Sequence, residues 1–251
     1  MSKFSKNYQK VTFVKHWTEN LFSFRITRPK SFKFRSGEFV MIGLLDNNYS
    51  ICSPSWSEEL EFYSIIVKDG PLTSKLKKIK IGDKIIMMPK STGTLVLDAI
   101  KPGKRLFLLS SGTGFAPFAA LIREPETYER FESIIVTHTC RMIAELSYSK
   151  SIIQECMNDE LIKEFIDNKL LSYHSTTRDN HIFNGRITEL ISSNKLFNDL
   201  KINSISSDDR FMFCGSMGLN NDLKKIMLEN NFREGANNYP GEFVLEKAFA
   251  G

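Results

Sequence analysis

Leu106-Phe107-Leu108-Leu109-Ser110-Ser111-Gly112-Thr113-Gly114-Phe115-Ala116-Pro117 is the stretch that decides the fold. Four consecutive apolar residues suit a strand buried on both faces, and the glycines after them permit a tight turn into a helix. Pro117 is suited to be that helix's first residue, where its missing N–H costs nothing. Such a turn leaves backbone N–H groups and the positive helix end free to face a phosphate. The string is not a full G-x-G-x-x-G pattern, because Pro117 stands where the third glycine would fall. Taken alone, it is equally a structural strand-to-helix connection.

Downstream, apolar strands expected over 134–138, 170–174 and 210–214 alternate with helices expected over 149–165, 187–197 and 219–230, and a strand-like tail covers 242–246. That alternation implies a parallel sheet with helices on both faces. Upstream of Lys101-Pro102-Gly103 the pattern shortens. Strands are expected over 11–15, at Phe22, Phe24 and Ile26, and over 38–44, 61–67 and 84–88, with turns at Ser36-Gly37, Asp69-Gly70 and Gly82-Asp83. The expected fold is therefore two-domain: an antiparallel β-barrel over 1–101, then a doubly wound α/β domain with a parallel sheet over 102–251.

A chain of 251 residues with 41% hydrophobic and 25% charged residues has room for two cores. Basic residues exceed acidic ones 34 to 29, a net charge of +5, too little and too dispersed for a nucleic-acid binder. No apolar run is long enough to span a membrane, and the first residues carry no targeting pattern, so a cytoplasmic monomer is expected. Cys52, Cys140, Cys156 and Cys214 form no C-x-x-C pair, and His16, His138, His174 and His181 are scattered, so neither disulfides nor a metal site are expected.

Folds that prefer NAD place a carboxylate at the end of the second strand to bond the ribose 2′-hydroxyl. Here 134–138 is followed by Thr139-Cys140-Arg141. A guanidinium suits a 2′-phosphate instead, and Arg178 and Arg186 follow the next strand. The pattern points to NADP(H).

Six strings together resemble the bacterial-type ferredoxin/flavodoxin–NADP reductase family: Tyr49 to Ser53, Leu60 to Val67 with Asp69 to Ser74, the Gly112 turn, Thr137 to Tyr148, Cys214 to Met217, and Phe243 to Phe249. The resemblance implies an FAD-binding barrel and an NADP-binding domain whose cofactors meet between them. It implies that Tyr49 packs on the isoalloxazine, Ser50 lies near flavin N5 with Ile51 following, and Ser64, Ile65 and Ile66 line the flavin through their backbone. Pro71, Leu72 and Thr73 match the segment near the FAD pyrophosphate. Thr113 and Gly114 sit in the nucleotide turn, Cys214 beside the nicotinamide C4, and Gly215 where the dinucleotide approaches the backbone. Glu246 matches the tail carboxylate of the hydride-transfer region, and Ala248 and Phe249 the residues near the other flavin face. The chain departs from the family at Asn47, which stands where an arginine usually faces the FAD pyrophosphate and which offers no charge.

The implied reaction is hydride transfer from NADPH to FAD, followed by single-electron transfer to an acidic carrier, ferredoxin or flavodoxin. Lys75, Lys77, Lys78 and Lys80 are candidates to steer that carrier. The alternatives are a flavin or quinone reductase of the same architecture and a non-enzymatic NADP(H)-sensing module.

Overall fold

Alternating side chains in the first half of the chain produce six strands: β1 (Tyr8–His16), β2 (Leu21–Thr27), β3 (Phe39–Ile42), β4 (Asn47–Ser50), β5 (Glu59–Ile65) and β6 (Lys84–Thr92). The computed structural model describes residues 7–43, 47–66, 76 and 78–247; Pro71, Leu72, Thr73, Lys75, Lys77, Ala248 and Phe249 lie outside them. The six strands form one antiparallel sheet in the order β4-β3-β6-β1-β2-β5. An isolated bridge between Ile51 and Phe62 brings the two ends together, closing a barrel. Phe22, Phe24 and Phe62 stack inside it, with centroids 5.8 and 5.3 Å apart.

The second domain carries the parallel sheet β11-β10-β7-β8-β9. Its strands are β7 (Arg105–Ser111), β8 (Ser133–Cys140), β9 (Leu170–Thr176), β10 (Asp209–Gly215) and β11 (Phe243–Lys247). Its helices are α1 (Ala116–Leu121), α2 (Pro125–Arg130), α3 (Ser147–Asn158), α4 (Lys163–Ile166), α5 (Ile187–Ser192), α6 (Lys195–Leu200) and α7 (Met217–Glu229). Among the described residues no helix is long and apolar enough to cross a membrane.

Several expected elements change in extent. One helix expected over 149–165 is two, α3 and α4, because Asp159 turns extended (ψ 118°) and its carboxylate accepts from the Leu161 N–H at 2.9 Å. The helix expected over 187–197 divides likewise into α5 and α6 at Asn194, which is left-handed (φ 59°). The strand expected over 38–44 stops at Ile42, where Gly43 takes φ 97°, and the one expected over 61–67 runs instead from Glu59 to Ile65. Pro117 is the second residue of its helix, after Ala116. Strand β4 and helix α2 were not expected.

Strands β2 and β5 also bury residues of both parities, which a barrel strand facing water does not. The second domain covers their outer face. Tyr63 of β5 stacks on Tyr148 of α3 (4.1 Å, 16°), Trp17 meets the same ring edge-on at 5.3 Å, and one apolar cluster runs from Leu21, Cys52 and Tyr63 into Phe115, Tyr148 and Cys214.

Candidate active site

The parallel sheet starts at β7, adds β8 and β9 on one side, and returns to add β10 and β11 on the other. Ligands of open α/β sheets bind at this reversal, outside the carboxyl ends of the strands. The Gly112–Phe115 turn after β7 and the Cys214-Gly215 end of β10 lie there side by side. Gly114 is required by packing: a Cβ on it would sit 2.0 Å from the Cys214 carbonyl oxygen. Gly215 presses in return on the Ser111 hydroxyl, 2.4 Å from where its own Cβ would stand. Gly112 differs, with φ +54° and nothing within 4 Å of a Cβ. Its outer side is open, whereas Thr113 beside it is buried.

On the barrel side, β5 pairs with β2 along its length but meets the β4 side at the Ile51–Phe62 bridge. Beyond that bridge, among the described residues, no pairing joins β4 to β5, and the two strands diverge. The divergence is lined by Tyr49, whose ring meets Phe62 edge-on at 6.3 Å, and by Ser64. Burial raises the Tyr49 phenol; the Ser64 hydroxyl is near enough to oppose that rise but does not reach hydrogen-bond geometry, and it is left buried without a partner. An aromatic wall, a strand edge with no pairing partner among the described residues and an orphaned buried hydroxyl fit a planar heteroaromatic ring with donors and acceptors on its edge, as an isoalloxazine has. Ser50 and Ile51 complete the β4 side, Ile65 ends β5, and the Ile66 N–H is taken by the Asn20 carbonyl at 2.7 Å. Asn47 opens β4, opposite Ile42.

The two regions touch, since the Gly112–Phe115 turn packs directly against β5. Cys214 and Glu246 are partners across β10 and β11. Glu246 is anchored from both domains: Thr94, just after β6, donates its N–H and its hydroxyl to the carboxyl, and Asn220 of α7 donates to the Glu246 carbonyl at 2.8 Å. Burial pushes the Glu246 carboxyl up to about 7, against the Thr94 bonds. Burial, with Glu246 adding to it, also raises the Cys214 thiol well above its ordinary value, so this cysteine is a neutral thiol.

Arg141 follows β8 and Arg178 follows β9, and the Arg178 N–H donates to the Arg141 carbonyl at 3.0 Å, which joins the two loops. Arg186 precedes α5. All three are exposed, and none forms an ion pair among the described residues. The nearby carboxylates are engaged elsewhere: Glu145 accepts from the N–H groups of Arg141 and Met142, and Asp179 from that of Ile143. Arg141 and Arg178, at two adjacent strand ends and without an ion-pair partner among the described residues, fit a phosphate; no hydrogen bond or ion pair among those residues joins Arg186 to them.

Over 251 residues, 97% of this chain and 93% of the relative, the sequence is 54% identical to the flavodoxin/ferredoxin–NADP reductase of Rhodobacter capsulatus. The chain belongs to the ferredoxin/flavodoxin–NADP reductase family. It is also 42% identical to the ferredoxin–NADP reductase of Azotobacter vinelandii, covering 97% of each chain. Its fold matches that of a ferredoxin NADP+ reductase from Neisseria gonorrhoeae, solved with bound FAD and NADP, at a TM-score of 0.86 and 26% identity, covering 97% of this chain and 98% of the other. No family model matches the chain.

Within this family member, three features escaped the sequence reading. Thr94 holds Glu246. Arg123, just past α1, donates to the Cys52 carbonyl at 2.7 Å and to Glu61 of β5 at 3.3 Å, clamping one domain to the other. His138 lies beneath the glycine turn, and its signal was present in the sequence: Thr137-His138-Thr139 is a polar run inside a strand that is otherwise apolar and buried.

Proposed function

We propose that this protein is a cytoplasmic FAD-dependent reductase that takes hydride from NADPH and passes electrons one at a time to ferredoxin or flavodoxin. The observation that carries the reading is that β5 both edges the divergence from β4 and packs against the glycine turn, so a flavin and a nicotinamide would lie against each other at one seam. When bound, FAD supplies the step from two-electron to one-electron chemistry. The chain's own residues bind, orient and exclude water.

In this reading residues 1–101 hold FAD and 102–251 hold NADP(H). Tyr49 packs on the ring, Ser50 and Ile51 continue its wall, and Ser64, Ile65 and Ile66 meet its edge. Asn47 offers a neutral amide toward the pyrophosphate, and Pro71, Leu72, Thr73, Ala248 and Phe249 take the places the family resemblance gives them. Thr113, Gly114 and Gly215 shape the dinucleotide crevice, and Arg141, Arg178 and Arg186 bind the 2′-phosphate. The neutral Cys214 thiol borders the nicotinamide without placing a charge there, and Glu246 can hold a proton at its carboxyl near neutral pH. A basic surface that includes Lys78 and Lys80 steers the acidic carrier, and the protein acts as a monomer.

The test is an absorbance spectrum of the purified protein before and after anaerobic NADPH, with NADH as control, followed by turnover with ferredoxin, flavodoxin and free FMN. The expected result is a yellow protein that NADPH bleaches far faster than NADH and that reduces the protein carriers in preference to FMN. A colourless protein would overturn the reading.

A further inference from the structure

His138 is buried in β8 directly under the Gly112–Phe115 turn. Its Nε2 is 2.8 Å from the Gly112 carbonyl oxygen, its Nδ1 is 2.7 Å from the Ser149 hydroxyl of α3, and the Phe115 ring covers it at 5.1 Å. We propose that His138 is a positioning residue for NADPH: it fixes the Gly112–Thr113 peptide with its carbonyl inward and its N–H outward, toward the dinucleotide.

The geometry follows from elementary constraints. Burial pulls the imidazole down to about 4, so the ring is neutral and carries one N–H. A carbonyl oxygen faces Nε2 and only accepts, so the proton sits on Nε2; Nδ1 then accepts the single Ser149 hydroxyl proton at 2.7 Å, in preference to the Leu146 carbonyl that the same hydroxyl reaches at 3.0 Å. Cys140, two residues along the same strand, has its sulfur 3.2 Å from Nε2; burial pushes its thiol up to about 12, so it adds a neutral contact and no charge. The described peptides are all trans, so the C=O and N–H of one peptide point in opposite directions. With the Gly112 carbonyl pinned inward, the Thr113 N–H is turned the other way, to the side on which Gly112 has nothing within 4 Å. Gly112 at φ +54° has little steric preference of its own to hold that orientation, and the space its side chain would take is open. The support comes from His138, beneath.

This inference rests on the NADPH reading. Glutamine can place an amide N–H where Nε2 stands, whereas asparagine reaches only to the Nδ1 position and leucine offers neither. The FAD-loaded full chain and its His138→Gln, His138→Asn and His138→Leu variants are titrated calorimetrically with NADP+ and, separately, with 2′-AMP, which carries the 2′-phosphate but no pyrophosphate. The Asn and Leu variants are expected to bind NADP+ about three- to tenfold more weakly, the worth of one buried hydrogen bond, with 2′-AMP binding retained and the Gln variant close to the parent protein. In turnover the loss falls on KM for NADPH more than on kcat. If Asn binds NADP+ as the parent does, or Gln loses as much as Leu, the ring is only packing and the proposal is overturned while the NADPH reading stands. A parent protein that binds neither NADP+ nor 2′-AMP overturns both. Should the Leu variant fail to fold, the Gln and Asn pair decides the question.

Discussion

Replacing Arg123 by methionine tests the clamp that joins the two domains. The guanidinium makes four contacts: Nε donates to the Ala119 carbonyl at 2.8 Å, Nη2 to the Cys52 carbonyl at 2.7 Å, and Nη1 and Nη2 each to Glu61 at 3.3 Å. The Arg123 side chain is 13% exposed and that of Glu61 is 4%, so the pair is shielded from solvent. Removing one partner of a buried pair costs about 3–5 kcal/mol, because a charge is left uncompensated. Glu61 keeps two weaker neighbours, Arg25 at 3.9 Å and the Tyr148 hydroxyl at 3.3 Å. The low end, about 3 kcal/mol, is therefore expected for R123M. Removing both charges in E61L/R123M should recover about 1.5 kcal/mol or more relative to the sum of the single changes, since no buried charge then remains. The assay is urea unfolding of the FAD-loaded protein, followed by flavin fluorescence and by far-UV circular dichroism. Coincident transitions establish that the two domains unfold as one. A cost below about 1 kcal/mol for R123M, or strict additivity in the double variant, would refute the clamp as an energetic link.

Glu246 gives stability a characteristic pH dependence. Its carboxyl is raised from 4.5 to about 7, so the contribution of its protonated form is complete below 4.5 and is lost as pH rises through about 7. E246Q should therefore flatten the decline in Tm over that interval, and an unchanged slope would contradict the shift. Gly114→Ala should cost about 1–3 kcal/mol and raise KM for NADPH, because its Cβ meets the Cys214 backbone at 2.0 Å. Gly112→Ala meets no protein atom and costs stability only the penalty of its positive φ, about 1–2 kcal/mol, so a larger loss of stability there than at Gly114 would count against the packing described. Arg141→Ala and Arg178→Ala should each raise KM for NADPH about tenfold, the worth of a charge-assisted hydrogen bond, and leave NADH turnover unaffected. Parallel losses with both nucleotides would remove the 2′-phosphate from their account.

The parallel sheet was legible because β7, β8 and β10 each hold a run of three or four apolar residues and are followed by, or end in, glycine or arginine; β7 with its turn is the plainest case. The barrel was legible in kind but less so in detail. Strands β2 and β5 bury both faces, and the sequence around Ser23, Glu61 and Tyr63 does not say which surface will cover them. The breaks at Asp159 and Asn194 are set by one local hydrogen bond and one left-handed residue, which helical periodicity across 149–165 and 187–197 does not register. The positions of Arg141 and Arg178 followed from where the strands end. The Arg123–Glu61 clamp could not be read at all, since its partners are 62 residues apart and meet only when the two domains dock. His138 lies between these cases: a polar group in a buried strand signals a bond to be made, but the recipient, the Gly112 carbonyl, is supplied by a different strand's turn.

The divergence of β4 from β5 past the Ile51–Phe62 bridge bears on how the chain survives in a cell. A strand edge with free peptide groups is a template on which a second chain can add, and proteins usually blunt such edges with charge, proline or a covering segment. Past the bridge, β5 carries Tyr63, Ser64 and Ile65, none of which is charged or proline; the covering segment is the second domain, whose Tyr148 lies over Tyr63, and Ser64 is fully buried. A flavin lying along that edge would act as the missing stave of the barrel, on a side that a second chain does not reach.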